Sequence, residues 1–138
     1  MTSHKVSVFR REHFCAAHRL HNDMWDEETN SRIFGKCNNP NYHGHNYELE
    51  VKVTGIPDPQ TGFVADLKNL SEIIRQKVTK RYDHKNLNLD IEDFKGINTT
   101  VENIAIVIYN LLRPEIKPEY ELKVRIHETN KNSAEYPA

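Results

Sequence analysis

The chain has 138 residues, enough for one domain with a substantial hydrophobic core. Its 19 basic and 20 acidic residues leave a formal charge of −1, so it lacks the basic footprint that nonspecific nucleic-acid binding requires. No apolar run approaches the roughly 18 residues that a membrane-spanning helix needs, and the N-terminus has no apolar signal core. We therefore expect a single domain over residues 1–138, a cytoplasmic location, and neither nucleic acid nor a membrane as a partner.

The first predicted element is a long strand over residues 5–20. Phe14, Ala16, His18 and Leu20 share one face of it, so His18 occupies an apolar position. Cys15 falls on the opposite face and is assigned to packing. With only two cysteines and no secretion signal, we expect both thiols to be reduced. Residues 21–36 are polar and have no sustained period, which predicts a loop with at most a helical turn.

Residues 37–46 bring a thiol, a turn-forming run and two imidazoles together. The asparagines and proline of residues 38–41 predict a turn, and the alternation after them predicts a strand over residues 43–54. His43 and His45 lie on the apolar face of that strand. Because same-face neighbours are about 6.6 Å apart, the two rings can converge on one metal ion at about 2.0–2.1 Å from each nitrogen.

A change of period after the turn-rich link of residues 55–62 predicts two helices. The first runs from an N-cap at Asp66 to about residue 81, and the second begins at a Thr99–Glu102 capping box and ends before Pro114. Strands over residues 121–129 and 133–136 follow. This order predicts an α+β fold, a four-stranded antiparallel sheet with two helices on one face. The uncovered face predicts an oligomer that joins or stacks sheets.

The three histidines predict a metal site. A lone histidine on an apolar face is more often a hydrogen-bonded core residue, but two at i and i+2 need two buried partners, and one zinc ion satisfies both. Zinc on His18, His43 and His45 with an open fourth position is a catalytic pattern. Cys37 is then either a fourth ligand or a thiolate base beside the metal. Its Asn-rich loop argues against a simple buried thiol.

Two other positions carry candidate chemistry. Asp83 and His84 are adjacent just past a helix end, where such residues are common, but near Cys37 they would form a proton relay. Glu128 falls on the apolar face of the last long strand. Either the strand end departs harmlessly from alternation, or the carboxylate accepts hydrogen bonds from a planar ligand with adjacent N–H donors, such as an aminopyrimidinone.

Taken together, these motifs resemble the 6-pyruvoyl-tetrahydropterin synthase family over nearly the whole chain. The matching segments are residues 14–20, 34–47, 83–87, 99–103 and 128–129. The resemblance implies zinc on the three histidines and Cys37 as the base, with Asp83 and His84 completing the relay. It also implies that Glu128 anchors the pterin ring, with Thr99 and Thr100 nearby.

The same resemblance implies the tunnelling fold, in which trimers close their sheets into a barrel and two trimers stack into a homohexamer with active sites between subunits. The implied substrate is 7,8-dihydroneopterin triphosphate. It loses triphosphate and rearranges by internal redox to 6-pyruvoyl-tetrahydropterin, in tetrahydrobiopterin biosynthesis. No nicotinamide is needed for that chemistry, and Mg²⁺ on the triphosphate is a further candidate cofactor.

Two alternatives stay open. The 6-carboxy-tetrahydropterin synthase of queuosine biosynthesis shares the histidines, the relay and the substrate, but its cysteine usually lies closer to the His-Gly-His motif than Cys37 lies to His43. The other is a non-catalytic, zinc-stabilised oligomeric scaffold with Cys37 as fourth ligand. Two residues depart from the family pattern: Tyr42 stands where a small residue, often glycine, is expected, and Cys15 replaces a usual Ser or Glu.

Overall fold

A mixed five-stranded sheet is the frame of the protein, whose computed structural model describes residues 4–138. The strands are β1 (Val6–His18), β2 (His43–Gly55), β3 (Lys85–Asn86), β4 (Glu121–His127) and β5 (Ser133–Tyr136). Their order is β3-β1-β2-β4-β5, with every pair antiparallel except β1 and β3. The predicted sheet of four antiparallel strands is wrong in two respects: it lacks β3, and β3 pairs with β1 in parallel. A strand of two residues has no period that a sequence can display.

The helices are α1 (Glu27–Phe34), α2 (Leu67–Ile74), α3 (Lys80–Tyr82), α4 (Leu87–Asp90) and α5 (Val101–Leu112). A π-helical segment, Arg75–Thr79, joins α2 to α3, so the first predicted helix continues to Tyr82. Asp66 caps α2 as predicted, since its side chain accepts a hydrogen bond from the Lys68 N–H at 2.9 Å. Short 3₁₀ turns lie at Gly35–Asn38, Glu92–Phe94 and Arg113–Glu115. Among the described residues, no helix is long and apolar enough to cross a membrane.

Helix α1 corrects the loop predicted for residues 21–36. Asp26 caps it by accepting from the Thr29 N–H at 2.7 Å. The one buried side chain of the helix is an amide rather than an apolar group: Asn30 donates to the Asn22, Trp25 and Asp26 carbonyls and accepts from the Asn22 N–H. A helix held by hydrogen bonds from one asparagine shows no apolar period, which is why the sequence pattern missed it.

The N-cap of α5 is Thr100, so the predicted capping box from Thr99 is wrong by one residue. The Thr100 side chain accepts from the Asn103 N–H at 3.2 Å. Thr99 is fully buried and makes tertiary bonds instead. Two adjacent threonines offer the same local signal, and the tertiary partners decide between them.

One face of the sheet forms the hydrophobic core with the helices. Its buried sheet residues are Phe14, Ala16, Tyr47, Leu49, Val51, Val53, Leu122, Val124 and Ile126, which cluster with Leu70 and Ile74 of α2 and Ile104 and Ile108 of α5. Both predicted helices therefore pack on one face.

The opposite face is polar and largely exposed. A row of alternating charge crosses it, with ion pairs of 3.0 Å from Arg11 to Glu50 and 3.1 Å from Arg125 to Glu135. Cys15 is exposed there as a free thiol, which corrects its assignment to packing. Cys15 was correctly predicted to lie on the other face of β1 from His18, but that face is charged and exposed rather than part of the core.

One edge of the sheet is largely open. Strand β1 pairs with β2 along its full length but with β3 only at Ala16 and Ala17. Between Val6 and Phe14, the outer edge of β1 has no strand partner among the described residues. Unpaired backbone of this length is a surface on which another strand can add.

Candidate metal centre and active site

The β1–β2 pairing assembles the three predicted metal ligands. His18 lies directly opposite His43, and His45 opposite Ala16, so all three rings point from the core face at the end of the sheet. Their ring centroids are 4.5, 5.1 and 5.0 Å apart for the pairs 18–43, 18–45 and 43–45. One nitrogen from each lies within 4.8 Å of the others. The cluster could hold a metal ion.

The nitrogens of the cluster lack partners although they are buried. His18 Nε2, both ring nitrogens of His43 and His45 Nε2 make no hydrogen bond. His18 Nδ1 donates to the Thr99 carbonyl at 2.8 Å, which leaves the lone pair of a neutral ring on Nε2, facing the cluster. Each buried polar group without a partner costs about 1–3 kcal/mol. A metal ion would satisfy these nitrogens together, so the residues fit the ion that the sequence predicts.

Burial keeps the His18 and His45 rings in the metal-binding, neutral form. It is the main cause that lowers the pKa of His18 to about 4; the Thr99 bond opposes the shift, while the neighbouring His43 and His45 add to it. Burial also lowers the pKa of His45, against the opposing charge of Glu128. Both rings therefore carry free lone pairs at neutral pH.

Glu128, the predicted pterin anchor, lies directly against the cluster. It follows the last residue of β4, and its side chain is 18% exposed. Its carboxylate oxygens are 3.7 Å from His18 Nε2 and 3.9 Å from His45 Nε2. The carboxylate and the metal-binding nitrogens therefore belong to one site.

Cys37 lies in the 3₁₀ turn after α1, near Tyr47 and the histidine cluster. Its carbonyl accepts from the Leu20 N–H at 2.9 Å, and Asn38 Nδ2 donates to the Leu20 carbonyl at 2.7 Å. The thiol is free and half-buried. These two hydrogen bonds to Leu20, two residues beyond His18, hold the turn that carries the predicted base in place.

Asp83 and His84 lie together, and their tertiary hydrogen bonds are to Cys15 rather than to Cys37. His84 Nδ1 is 2.9 Å from Asp83 Oδ2. The pair is bound to Cys15: Asp83 Oδ1 accepts from the Cys15 N–H at 2.8 Å, and the His84 N–H donates to the Cys15 carbonyl at 2.6 Å. The bond from Cys15, followed by that from His84, lowers the pKa of the Asp83 carboxyl.

The pair and the predicted base are bonded to different parts of the first strand segment. Cys15, which bonds the pair, lies within β1, whereas Leu20, which bonds Cys37, lies two residues beyond the end of β1 at His18. His84 is 83% exposed, and among the described residues no hydrogen bond links it to Cys37. Within one chain, Asp83 and His84 thus contact each other but form no hydrogen bond with the Cys37 thiol among the described residues.

The two threonines have separate positions. Thr99 orients His18 through its carbonyl, while its hydroxyl donates to the Arg19 carbonyl at 3.3 Å and to Asn88 Oδ1 at 3.2 Å. Thr100 caps α5 and is half-buried. Through these contacts Thr99 supports a candidate metal ligand, His18, and has no direct role of its own in the cluster.

Sequence reasoning missed Tyr47. Its ring is fully buried, with centroids 5.9 Å from His18 and 5.5 Å from His45, and its hydroxyl has no hydrogen-bond partner. Burial raises the pKa of this phenol, and the nearby charges of Glu128 and then Cys37 add to the shift. The signal was its parity: Tyr47 is the next core-facing position after His45, and a buried tyrosine hydroxyl normally requires a partner.

Two of the candidate site segments contain a residue with strained backbone. Tyr42 and His84 are the two non-glycine residues with positive φ in the part of the chain described, at 68° and 60°. Such conformations cost about 1–3 kcal/mol and collect at functional sites. The value at Tyr42 explains why a glycine is expected at that position.

Fold and site together define an α+β protein with a buried three-histidine cluster, a carboxylate against it and a thiol nearby, which is the construction of a metal-dependent enzyme. The family model described as 6-pyruvoyl tetrahydropterin synthase matches residues 7–138. The chain belongs to the 6-pyruvoyl tetrahydropterin synthase family.

Individual relatives agree with this family. A 6-pyruvoyl tetrahydrobiopterin synthase of Drosophila melanogaster is 45% identical over 128 residues, which is 92% of this chain and 76% of that protein. The solved structure of Caenorhabditis elegans 6-pyruvoyl tetrahydropterin synthase has a TM-score of 0.91 at 40% identity and covers 100% of this chain and 99% of its own. A putative 6-carboxy-5,6,7,8-tetrahydropterin synthase of Archaeoglobus fulgidus is 37% identical over 70 residues, 51% of this chain and 55% of that protein.

Proposed function

We propose that this protein is a zinc-dependent lyase that converts 7,8-dihydroneopterin triphosphate to 6-pyruvoyl-tetrahydropterin with loss of triphosphate. The observation that carries the proposal is the three-histidine cluster, with its unpartnered buried nitrogens and Glu128 within 3.7–3.9 Å of two of them. Family membership over residues 7–138 supports the substrate class.

Each residue has a role in this reaction. His18, His43 and His45 would hold zinc, which as a Lewis acid would polarise side-chain oxygens of the substrate and acidify the adjacent carbon–hydrogen bonds. The Glu128 carboxylate accepts hydrogen bonds from the adjacent N–H donors of the pterin ring. The Cys37 thiolate takes the proton from carbon, and the carbon–oxygen bond to triphosphate breaks. The redox change is internal to the substrate, because the dihydropterin ring gains the two electrons that the side chain loses when its second carbonyl forms.

We assign the Asp83–His84 pair to Cys37 of a neighbouring subunit. Within the described chain no hydrogen bond joins the pair to Cys37, which supports this assignment, as does the exposure of His84 beside the open edge of β1. A trimer that joins sheets at such edges, and a hexamer of two trimers, would bring this edge to another chain. Thr99 and Thr100 remain assigned to the substrate pocket, Thr99 through its control of His18.

The test is product identification. Purified protein incubated with 7,8-dihydroneopterin triphosphate should yield 6-pyruvoyl-tetrahydropterin and triphosphate by mass spectrometry. A chelator should abolish turnover, and added Zn²⁺ should restore it. Parallel reactions with and without Mg²⁺ test whether that ion assists through the triphosphate oxygens.

The 6-carboxy-tetrahydropterin synthase reaction is the second candidate. The partial likeness to the Archaeoglobus fulgidus protein is the observation that favours it, over half of the chain. Release of acetaldehyde from the same substrate would identify this reaction and exclude the pyruvoyl product.

We also propose a cytoplasmic location. Both cysteines are free thiols, the state expected in a reducing compartment. Fractionation of cells that express the full chain, with an antibody against it, would test the location, and recovery in an oxidising compartment would exclude it.

A further inference from the structure

Two electron-pair donors face each other at the edge of the histidine cluster. The Thr99 carbonyl can only accept, so His18 Nδ1 carries the hydrogen and Nε2 of the neutral ring carries the lone pair. That lone pair faces Glu128 Oε2 at 3.7 Å, beyond hydrogen-bond distance. In a buried site, a carboxylate against a lone pair is repulsive unless a cation lies between them.

The distances suit a shared metal ion. Ligands about 2.0–2.2 Å from zinc at tetrahedral angles lie about 3.3–3.5 Å from one another. The Glu128 oxygens are 3.7 and 3.9 Å from His18 Nε2 and His45 Nε2, only a few tenths of an ångström beyond this tetrahedral edge. Carboxylate oxygen is an ordinary zinc ligand beside imidazole nitrogen.

Charge gives a second reason. Three neutral histidines would leave a buried divalent ion with its full charge of about two, and one carboxylate ligand halves it. Glu128 is the acidic side chain that approaches the cluster among the described residues. A buried charge that is partly neutralised costs less than one that is not.

We propose that Glu128 is the fourth ligand of the metal in the substrate-free protein, and that the pterin ring displaces it. The proposal rests on the function proposed above. When the N–H donors of the ring form hydrogen bonds with the carboxylate, Glu128 leaves the metal, and a coordination position opens for the side-chain oxygens of the same substrate. Glu128 thus binds either the metal or the pterin ring, but not both at once.

The local backbone suits such an exchange. The Glu128 N–H donates to the Asn132 carbonyl at 3.0 Å, and Thr129 Oγ1 accepts from the N–H groups of Lys131 and Asn132, both at 3.1 Å. This turn holds the Cα of Glu128 in place. Its carboxylate has no hydrogen bond within the described chain, so the side chain can move between the metal and a ligand.

The test uses cobalt as a spectroscopic probe. Metal-free wild type, Glu128→Gln and the control Glu48→Gln are loaded with Co²⁺, and zinc affinity is measured by chelator competition. Glu48 is a matched control because it lies on the exposed face of the same sheet, 3.3 Å from Arg11. Glu128→Gln should change the visible cobalt spectrum and weaken zinc binding by about 10- to 100-fold, while Glu48→Gln changes neither.

A measurement on unmodified protein keeps the inference testable if Glu128→Gln does not fold. Saturating 7,8-dihydropterin, which has no side-chain oxygens to bind the metal, should shift the cobalt spectrum of wild type and weaken its zinc affinity. Linkage requires zinc to weaken pterin binding by the same factor. An unchanged spectrum with saturating dihydropterin, or zinc affinity of Glu128→Gln within twofold of wild type, overturns the proposal.

Turnover separates this inference from the proposed function. If wild type forms the pyruvoyl product while Glu128→Gln binds zinc normally, the enzyme assignment stands and the ligand assignment falls. If the cobalt spectrum depends on Glu128 but no product forms, the ligand assignment stands and the enzyme assignment falls.

Discussion

His18 Nδ1 donates a hydrogen bond to the carbonyl oxygen of Thr99, 81 positions away, at 2.8 Å. The bond sets both the tautomer and the orientation of the ring, because a carbonyl cannot donate. It turns Nε2 toward His43, His45 and Glu128. A single tertiary contact therefore prepares the candidate metal ligand on β1.

Removal of the Cys37 thiol separates catalysis from structure. We expect Cys37→Ala to retain zinc and oligomeric state and to lose about 10²- to 10⁴-fold in kcat, the range for a general base. Metal analysis, size-exclusion chromatography and turnover measure the three quantities. Cys15→Ala, which removes the exposed thiol but keeps its backbone bonds, is the control. Loss of zinc and unfolding of Cys37→Ala would instead support the scaffold hypothesis.

Mixed oligomers test the subunit that supplies the relay. Cys37→Ala and His84→Ala should each be inactive alone. When they are unfolded and refolded together, random assembly should restore up to about a quarter of wild-type activity, since some sites combine an intact Cys37 with an intact His84 from different chains. No recovery, although mixed oligomers form, would place the relay within one chain.

The Tyr47 hydroxyl is expected to contribute nothing to the stability of the metal-free protein. Tyr47→Phe removes a buried hydroxyl that has no partner, so the free energy of unfolding should stay constant or rise by about 1 kcal/mol. Tyr82→Phe is the matched control, because the Tyr82 hydroxyl donates to Asp93 Oδ2 at 2.9 Å. It should lose about 1.5–3 kcal/mol. Urea denaturation compares them, and equal losses would mean that the Tyr47 hydroxyl has a partner.

His18 should make the metal-free protein less stable in acid. Its pKa is about 4 when folded and about 6.5 when unfolded, so between these values the unfolded chain binds more protons and stability falls as the pH falls. From pH 7 to pH 5 we expect a loss of roughly 2 kcal/mol from this group, by urea denaturation. His18→Gln should have a correspondingly shallower dependence on pH; an identical slope would contradict the assignment.

Local pattern by itself predicted the elements whose burial follows a regular period. Three elements were predicted close to their observed bounds: strand β2 with His43 and His45 on its core face, the helix that begins after Asp66 and runs through α2 to α3, and β5. Periodicity succeeds here because it records which residues share a face, and that is a local property of a strand or helix.

Polar and very short elements escaped the pattern. Helix α1 depends on hydrogen bonds from Asn30, and β3 on pairing with Ala16 and Ala17 of a distant strand. Neither leaves an apolar period in its own residues.

The sequence by itself determined the family, the candidate metal ligands and the faces on which they lie, since motif and period are carried by neighbouring residues. Tertiary structure alone decided their partners: Thr99 for His18, Cys15 rather than Cys37 for Asp83 and His84, and Glu128 against the histidine nitrogens. The physical reason is that hydrogen bonds and metal coordination depend on distances of a few ångströms between residues far apart in the chain. Such distances exist only once the sheet has paired.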